Sequence, residues 1–206
     1  MTPPNESSAA IFLDRDGTIM RDVDYCADPK LVKVFPGVPE VLHRLQSAGY
    51  QLIVISNQSG IGRGYFTEKE YRAVEAEVAR AVLPATLAAT YFCPDDPKHP
   101  TDRRKPAPGM VLEAQRDQDI DLARSFFIGD KASDIQCGRN AGLRTILVKT
   151  GYGAEQQRYA RANWIVEDLR AAADIILAQA PSRGRSSTTP FPDAASQEFI
   201  PPAEHE

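Results

Sequence analysis

The chain has 206 residues and a mass of 22.6 kDa, which suits one globular domain of moderate size with an ordinary core. Its formal net charge of −4 and pI near 5.5 give no broad basic surface, so nucleic acid is not expected as a partner. Three widely spaced cysteines favour a reducing compartment over a disulfide framework. Because residues 1–8 lack a signal-peptide pattern and no apolar run reaches membrane-spanning length, we expect a cytoplasmic protein without a membrane partner.

The first predicted strand ends in two aspartates. Ala10 to Leu13 is apolar, and Asp14 and Asp16 follow it before Gly17 lets the chain turn. Side chains alternate along an extended chain, so both carboxylates project the same way, at the edge where α/β sheets bind ligands. Such a pair suits a divalent cation, usually Mg²⁺. One carboxylate could then attack a phosphorus as nucleophile while its neighbour stays protonated, because like charges this close raise one pKa. The alternative is a pair of solvated turn acids.

Strands and helices alternate along the rest of the chain. After a loop over 20–34, the apolar pattern predicts strands at 51–55, 87–92, 125–128, 145–148 and 164–166, and helices at 38–48, 67–83, 108–116, 167–178 and just before Gly142. This alternation predicts an α/β fold with a doubly wound, mainly parallel, Rossmann-like sheet. We expect one domain over residues 9–180, with a disordered N-terminus at 1–8 and a disordered tail at 181–206.

Four successive strand ends carry polar side chains that suit one chemistry. Right-handed crossovers bring the ends of parallel strands to the same edge of a sheet. A carboxylate nucleophile, an acid, a cation site and donors for phosphoryl oxygens are the parts that phosphoryl transfer needs. The residues that would supply them are Asp14 and Asp16, Ser56 and Asn57, Lys105, and Asp130 and Asp134.

These segments resemble the motifs of the haloacid dehalogenase superfamily, and its phosphatases in particular. The first to fourth motifs are similar to Phe12 to Thr18, Ser56 to Gln58, Lys105 with Pro106, and Gly129 to Asp134, within a resemblance that covers about residues 10–151. Two further stretches, Ile55 to Phe66 and Arg104 to Pro106, resemble the subgroup of D-glycero-D-manno-heptose 1,7-bisphosphate 7-phosphatases and histidinol-phosphate phosphatases.

The resemblance implies a role for each matching residue. Asp14 would attack phosphorus to form an aspartyl phosphate, and Asp16 would protonate the leaving group and then activate water. Ser56 and Lys105 would hold the transferring phosphoryl group. Mg²⁺ would be held by Asp14, Asp130 and the main-chain carbonyl of Asp16. The spacing between motifs leaves no room for a separate cap domain, so the site would be capless and open, and loops would select the substrate.

Residues around the opening are predicted to bind the rest of the substrate. Arg104 would suit the second phosphate of a bisphosphate, although Arg103 and Arg104 could instead form a solvated basic turn. The residues assigned to substrate binding are Asp22, Tyr25, Asn57, Gln58, Arg63, Arg104 and Lys131.

The favoured function is a monomeric, Mg²⁺-dependent phosphatase whose partner is a small phosphorylated metabolite. Heptose 1,7-bisphosphate, dephosphorylated at C7, is the first choice of substrate. Histidinol phosphate or another small phosphomonoester is the alternative within the same chemistry. A phosphate-sensing or scaffold protein without turnover is the alternative from another class, and the intact set of polar residues argues against it.

One loop departs from the subgroup's pattern. Many of those proteins bind structural zinc through Cys-x-His and, just before Arg-Lys-Pro, Cys-x-Cys. Here Cys93 is retained, but Asp95 takes the histidine position, and Thr101 and Arg103 take the later cysteine positions. Structural zinc is therefore not expected, and prolines would stiffen the loop instead. The alternative is an oxygen-rich metal site built from Cys93, Asp95, His99 and Asp102.

Overall fold

A computed structural model describes residues 7–179 of the chain. Its sheet is built from six strands: β1 (Ala10–Leu13), β2 (Gln51–Asn57), β3 (Ala89–Cys93), β4 (Phe126–Gly129), β5 (Arg144–Val148) and β6 (Trp164–Val166). Their order is β3-β2-β1-β4-β5-β6, and every neighbouring pair is parallel. The predicted doubly wound α/β fold is confirmed.

Helices cover both faces of the sheet. They are α1 (Val38–Ser47), α2 (Ser59–Gly62), α3 (Glu68–Ala81), α4 (Gly109–Gln118), α5 (Ala132–Asn140), α6 (Gly153–Gln156) and α7 (Leu169–Gln179), with 3₁₀ turns at Pro29–Leu31 and Leu122–Arg124. The four-residue helices α2 and α6 were not predicted, because so short a segment shows no helical period. Only these elements and loops lie between the strands of residues 7–179, so this part of the chain holds no separate cap domain.

Strand β1 lies at the point where the strand order reverses. The chain passes from β1 to β2 on one side, and β4 pairs with β1 on the other. Ligands of open α/β sheets bind in the crevice that forms at such a point, outside the carboxyl ends of the strands. The main-chain N–H of Asp14, the first residue after β1, donates to the carbonyl of Ile128 in β4 at 3.0 Å. The two strand ends are thus joined beside the crevice.

A hydrophobic layer on each face fixes these strand ends. Alternate side chains of β1 enter opposite layers, with Ile11 and Leu13 in one and Ala10 and Phe12 in the other. The first layer is completed by apolar side chains of α1 and α7, and the second by those of α4 and α5. Because all four side chains are fully buried, we expect little freedom for the residues that follow β1.

The N-terminal boundary differs from the prediction. Ser8, which we placed in the disordered segment 1–8, forms a bridge with Ile120, and Ser7 Oγ donates to Asp119 at 3.1 Å. These contacts join both serines to the domain, through partners distant in sequence that no local pattern reveals. Residues 1–6 and the predicted tail at 181–206 lie outside the described residues. Over 7–179, no helix is long and apolar enough to cross a membrane.

Candidate active site

Three buried carboxylates meet where β1 and β4 end. Oxygen atoms of Asp14, Asp130 and Asp134 all lie within 4.8 Å of one another. The sequence places all three at one edge of the sheet, but the predicted metal ligands are Asp14, Asp130 and Asp16, the last through its main-chain carbonyl, and do not include Asp134. Asp134 joins them because it lies in the first turn of α5, directly behind Asp130. The Asp16 carboxylate is not in the cluster, and metal binding through its main-chain carbonyl stays a prediction.

Lys105 is the cation buried within this cluster. Its Nζ lies 2.8 Å from Asp14 Oδ1, 2.7 Å from Asp134 Oδ1 and 2.8 Å from the carbonyl oxygen of Ile55. Burial alone would lower the pKa of Lys105, but the carboxylates of Asp134 and Asp14 outweigh it and raise that pKa. The predicted meeting of Lys105 with Asp14 is observed directly, and the ammonium group holds the Asp14 carboxylate in place.

Asp130 has a free coordination position. Its Oδ2 accepts from the main-chain N–H of Tyr152 at 2.8 Å, whereas its Oδ1 is buried with no hydrogen-bond partner in the part of the chain that the structure describes. Burial, together with the charges of Asp14 and Asp134, raises the pKa of Asp130 to about 8. A hard divalent cation would give Oδ1 a ligand and offset the crowded negative charge, so these residues fit Mg²⁺.

Two glycines allow the main chain to approach the Asp130 carboxylate. Gly17 has φ +86° and Gly151 has φ +56°, a region that other residues rarely adopt. A Cβ atom at either position would collide with the carboxylate of Asp130. The sequence marks Gly17 as a turn residue, but nothing local marks Gly151, because Asp130, which it approaches, lies in another segment. Both positions shape the crevice around the expected cation.

We expect Mg²⁺ to raise the thermal unfolding midpoint, and by more at about pH 8 than at about pH 6. Without a cation, the folded protein keeps a proton on Asp130 up to about pH 8, whereas the unfolded chain releases it near pH 4. The unfolded state binds fewer protons over this interval, so the free energy of unfolding of the metal-free protein falls as pH rises. Mg²⁺ binds the ionised carboxylates and reverses that loss.

Thermal unfolding with and without Mg²⁺ checks this prediction. Asp130→Asn removes the buried charge and one ligand, so it should abolish the Mg²⁺ response without lowering the midpoint of the metal-free protein. Asp174→Asn, at an exposed ion pair with Arg44, is the matched control and should respond as the wild type does. A full Mg²⁺ response in Asp130→Asn would show that the cation binds elsewhere.

Asp16 is held by two neighbours on the other side of the crevice. Its carboxylate accepts from the guanidinium of Arg15, with 2.9 Å between Arg15 Nη2 and Oδ2, and from Gln58 Nε2 at 3.0 Å. Gln58 Nε2 also donates to Ser56 Oγ at 2.8 Å. Burial raises the pKa of Asp16 despite the opposing charge of Arg15. The Gln58 amide, predicted to bind substrate, therefore also links two predicted catalytic residues.

Asn57, at the end of β2, forms two hydrogen bonds with the main chain of Lys105. Its Nδ2 donates to the carbonyl of Lys105 at 3.1 Å, and its Oδ1 accepts from the N–H of Lys105 at 3.1 Å. This two-point contact positions the segment that carries the ammonium group. Asn57 was predicted to bind substrate, and the structure gives it this additional role.

A cleft of about 470 Å³ opens above the carboxylates. Of the predicted substrate-binding residues, the lining includes Asp22, Tyr25, Asn57, Gln58 and Lys131. It also includes Ser133, Tyr152 and Gln156, which are not among the predicted site residues. Ser133 continues into the smaller hollow that Asp14, Lys105 and Asp134 line. Its position inside the fourth motif is the one signal that could have identified it.

Lys131 provides positive charge on the cleft wall. Its Nζ donates to Asp22 Oδ2 at 3.2 Å and lies 4.8 Å from the centre of the Tyr152 ring. Burial would lower the pKa of Lys131, but the surrounding carboxylates, Asp14 first among them, raise it. The side chain therefore keeps its charge where an anionic substrate would enter.

Arg63 and Arg104 do not line this cleft. Arg63 Nη1 donates to the hydroxyl of Tyr25 at 2.7 Å, and its side chain lines a neighbouring hollow with Lys98. Arg104 Nη1 donates to the carbonyl of Asp95 at 2.9 Å. Arg63 thus supports a cleft residue, and Arg104 is engaged with its own loop. Direct contact of either arginine with substrate stays a prediction.

The loop between β3 and α4 is closed by hydrogen bonds. Asp95 Oδ2 accepts from the N–H of Thr101 at 2.7 Å and from its hydroxyl at 2.6 Å. Arg103 donates to the carbonyl of Phe92 at 3.0 Å and pairs with Glu113 at 3.2 Å, so it is not a freely solvated turn residue. Asp95 and Thr101, which stand where the subgroup's pattern has two zinc ligands, are therefore bonded to each other.

The side chains proposed as a substitute metal site do not form one compact ligand group. Across residues 7–179, the ligand group of this kind is the triad around Asp14, and it includes none of Cys93, Asp95, His99 or Asp102. Burial also raises the pKa of Cys93 to about 11, so its thiol stays protonated at neutral pH. The expected lack of structural zinc stays a prediction that these contacts support.

Replacing Asp95 by alanine should lower the free energy of unfolding by about 1 kcal/mol, because two hydrogen bonds at a partly exposed site are lost. Thr101→Val removes one of them and should cost about half as much. Urea unfolding of both variants checks the magnitudes. Wild type treated with a zinc chelator and then returned to Mg²⁺ should unfold as before, and a lowered midpoint would show that a metal closes the loop.

Comparisons with known proteins agree with this fold and site. The family model Hydrolase_like, described as HAD-hydrolase-like, matches residues 102–172. A D-glycero-D-manno-heptose-1,7-bisphosphate 7-phosphatase of Thermosynechococcus vestitus is 39% identical over an alignment of length 185, and the alignment covers 81% of this chain and 94% of that protein. A D-glycero-alpha-D-manno-heptose-1,7-bisphosphate 7-phosphatase of Burkholderia mallei is 37% identical. That alignment covers 85% of this chain and 97% of the Burkholderia protein.

A solved structure also resembles this chain in fold and sequence. The D,D-heptose 1,7-bisphosphate phosphatase from B. bronchiseptica, complexed with magnesium and phosphate, matches with a TM-score of 0.78 at 32% identity. The match covers 84% of this chain and 99% of that one. The chain therefore belongs to the family of haloacid dehalogenase-like hydrolases. Within that family, these relatives are heptose 1,7-bisphosphate 7-phosphatases.

Proposed function

We propose that the protein is a Mg²⁺-dependent phosphomonoesterase that removes the C7 phosphate of D-glycero-D-manno-heptose 1,7-bisphosphate through an aspartyl-phosphate intermediate. The observation that carries this proposal is the buried contact of Lys105 with Asp14, 2.8 Å long, beside the oxygens of Asp130 and Asp134. A nucleophilic carboxylate, a fixed ammonium group and a cation site converge there, as phosphoryl transfer requires.

Each side chain has a definite task in this mechanism. Asp14 attacks phosphorus, while the Lys105 ammonium and the Ser56 hydroxyl bind the oxygens of the transferring group. Asp16 gives a proton to the departing sugar oxygen and then takes one from the water that hydrolyses the intermediate. Asp14, Asp130 and the main-chain carbonyl of Asp16 would hold Mg²⁺, which would supply positive charge to offset repulsion between the phosphate and the carboxylates.

The substrate assignment is supported by the relatives and by the form of the cleft. The relatives named above are heptose bisphosphate phosphatases at 37–39% identity, and the match covers nearly all of their length. The cleft is open, because residues 7–179 hold no separate cap domain, and Lys131 places a cation on its wall. An open site of this kind has room for a sugar with a second phosphate.

Phosphate release from a panel of compounds tests the proposal. Heptose 1,7-bisphosphate, histidinol phosphate and hexose bisphosphates are compared with and without Mg²⁺. We expect the highest kcat/KM with the heptose compound and no turnover without Mg²⁺. Preference for histidinol phosphate would reassign the substrate within the same chemistry. If no compound releases phosphate above background, the protein is not a phosphatase for this class and a sensing or scaffold role replaces the proposal.

We also infer that the protein acts as a monomer in the cytoplasm. Every side chain placed in the site comes from this single chain. The cysteines at 26, 93 and 137 are free and buried, which fits a reducing compartment. Light scattering during gel filtration should give the mass of one chain, and a mass of two chains at catalytic concentrations would contradict the monomer.

A further inference from the structure

Arg15 is a fully buried charged residue that the mechanism above does not use. Its side chain is 2% exposed and lies between the two predicted catalytic aspartates in sequence. Nε lies 3.3 and 3.2 Å from the two carboxylate oxygens of Asp16, and Nη2 lies 3.2 and 2.9 Å from them. Gln58 contacts only Oδ2 of that carboxylate. The guanidinium is thus the group that fixes both oxygens of Asp16.

The guanidinium is in turn held by an aromatic ring. Cζ of Arg15 lies 5.4 Å from the centre of the Tyr71 ring, which α3 carries in a fully buried position. The Tyr71 ring packs against Phe92 of β3, with 4.4 Å between ring centres. The Tyr71 hydroxyl has no hydrogen-bond partner among the described residues. Tyr71 therefore supports Arg15 through the face of its ring and not through its oxygen.

We propose that Arg15 is a positioning residue that fixes the Asp16 carboxyl group for proton transfer to the leaving group, and that Tyr71 fixes Arg15. This inference rests on the proposed phosphatase function. In the first step, Asp14 forms a bond to phosphorus as the bond between phosphorus and the sugar oxygen breaks. The bonding electron pair stays on that oxygen, which receives the proton of Asp16. A misplaced Asp16 slows this step only where the leaving oxygen needs a proton.

Two substrates separate this role from a general structural one. The sugar oxygen of heptose 1,7-bisphosphate is a poor leaving group, whereas p-nitrophenolate departs without a proton. Arg15→Lys keeps the charge but loses the planar fork that binds both oxygens. We expect kcat/KM for the sugar phosphate to fall about 100-fold, and kcat/KM for p-nitrophenyl phosphate to change by less than about 3-fold.

Variants of Tyr71 and Asp16 distinguish a loss of proton transfer from a general structural effect. Tyr71→Phe retains the ring and should behave as wild type, whereas Tyr71→Leu should reproduce the selective loss to a smaller extent. Asp16→Asn gives the pattern expected when the proton donor is absent. Arg15→Lys introduced into Asp16→Asn should cause no further loss on the sugar phosphate, because both changes remove the same step.

Equal losses on both substrates would overturn the proposal, because a purely structural role reduces every activity alike. Additive losses in the double variant would overturn it as well. If Arg15→Lys unfolds, the kcat/KM values for the two substrates are compared between Tyr71→Leu and Tyr71→Phe instead. A wild type that hydrolyses neither compound would reject the phosphatase itself, and this role for Arg15 with it.

Discussion

Replacing Asp14 by asparagine should abolish phosphate release, lowering kcat by about 10⁴-fold or more, because the amide cannot form the aspartyl phosphate. The change is nearly isosteric, and the fold around β1 should be preserved. It also removes one oxygen from the cluster with Asp130 and Asp134, so Mg²⁺ affinity should fall. Unaided hydrolysis of phosphate monoesters is extremely slow, so no background reaction hides the loss.

Circular dichroism and steady-state phosphate release measure fold and activity in the same sample. Asp174→Asn repeats the chemical change at an exposed ion pair with Arg44 and should keep full activity. Turnover above about one tenth of wild type in Asp14→Asn would mean that another group attacks phosphorus, and the covalent mechanism would be abandoned.

Lys105→Met should reduce both activity and stability. The ammonium group is 2% exposed and contacts two buried carboxylates, so its removal leaves Asp14 and Asp134 without their cation. Breaking a buried ion pair in this way costs about 3–5 kcal/mol of unfolding free energy. Loss of a fixed donor to the transferring group should lower kcat/KM by about 10³-fold. Mg²⁺ should restore part of the stability, because it neutralises the same carboxylates, but not the activity.

Lys149→Met is the matched control for this change. Lys149 pairs with Glu167 at 2.6 Å on the surface, with side chains that are 33% and 76% exposed. An exposed pair contributes little, so stability should stay within about 0.5 kcal/mol and activity should be unchanged. Urea unfolding with and without Mg²⁺ gives the comparison. A Lys105→Met protein as stable and as active as the control would remove Lys105 from the site.

The residues closest to the chemistry were predictable from sequence because each follows a recognisable strand. Asp14 comes directly after the apolar run at 10–13. Asp130 comes directly after a second apolar run, which ends in Gly129. Once the strands are taken as parallel, their carboxyl ends must share an edge, so the meeting of these residues is largely geometric. Lys105 is predicted at the third of these strand ends, but a loop separates it from Cys93 of β3, so its place beside Asp14 depends on the path of that loop.

The side-chain contacts that support the site residues could not be predicted. No local pattern marks Arg15 as a buried residue, and its contact with Tyr71 on α3 becomes visible only in the structure. Gln58 similarly bonds Ser56 and Asp16 because α2 begins just after β2, a four-residue helix without a periodic pattern. Such side-chain partners are set by tertiary packing, which local sequence patterns do not encode.

The loops around the cleft show a second limit of prediction from sequence, which concerns the direction of long side chains. Tyr25, Asp22 and Lys131 line the cleft, whereas Arg63 and Arg104 lie outside it and donate to Tyr25 and to the carbonyl of Asp95, and their contact with substrate stays a prediction. Their charge and position in the sequence matched a role in binding phosphate. Which acceptor a long side chain reaches depends on the path of the loop, here fixed by the contact of Asp95 with Thr101.

Chemical trapping of the intermediate tests the mechanism most directly. Protein quenched during turnover of the sugar phosphate and reduced with borohydride converts an aspartyl phosphate into homoserine. Trypsin cleaves after Arg15, so the residue at position 14 and the one at position 16 fall in different peptides and mass spectrometry separates them. We predict homoserine at position 14 alone, dependent on both substrate and Mg²⁺. Homoserine at position 16, or rapid turnover with none at position 14, would contradict the account.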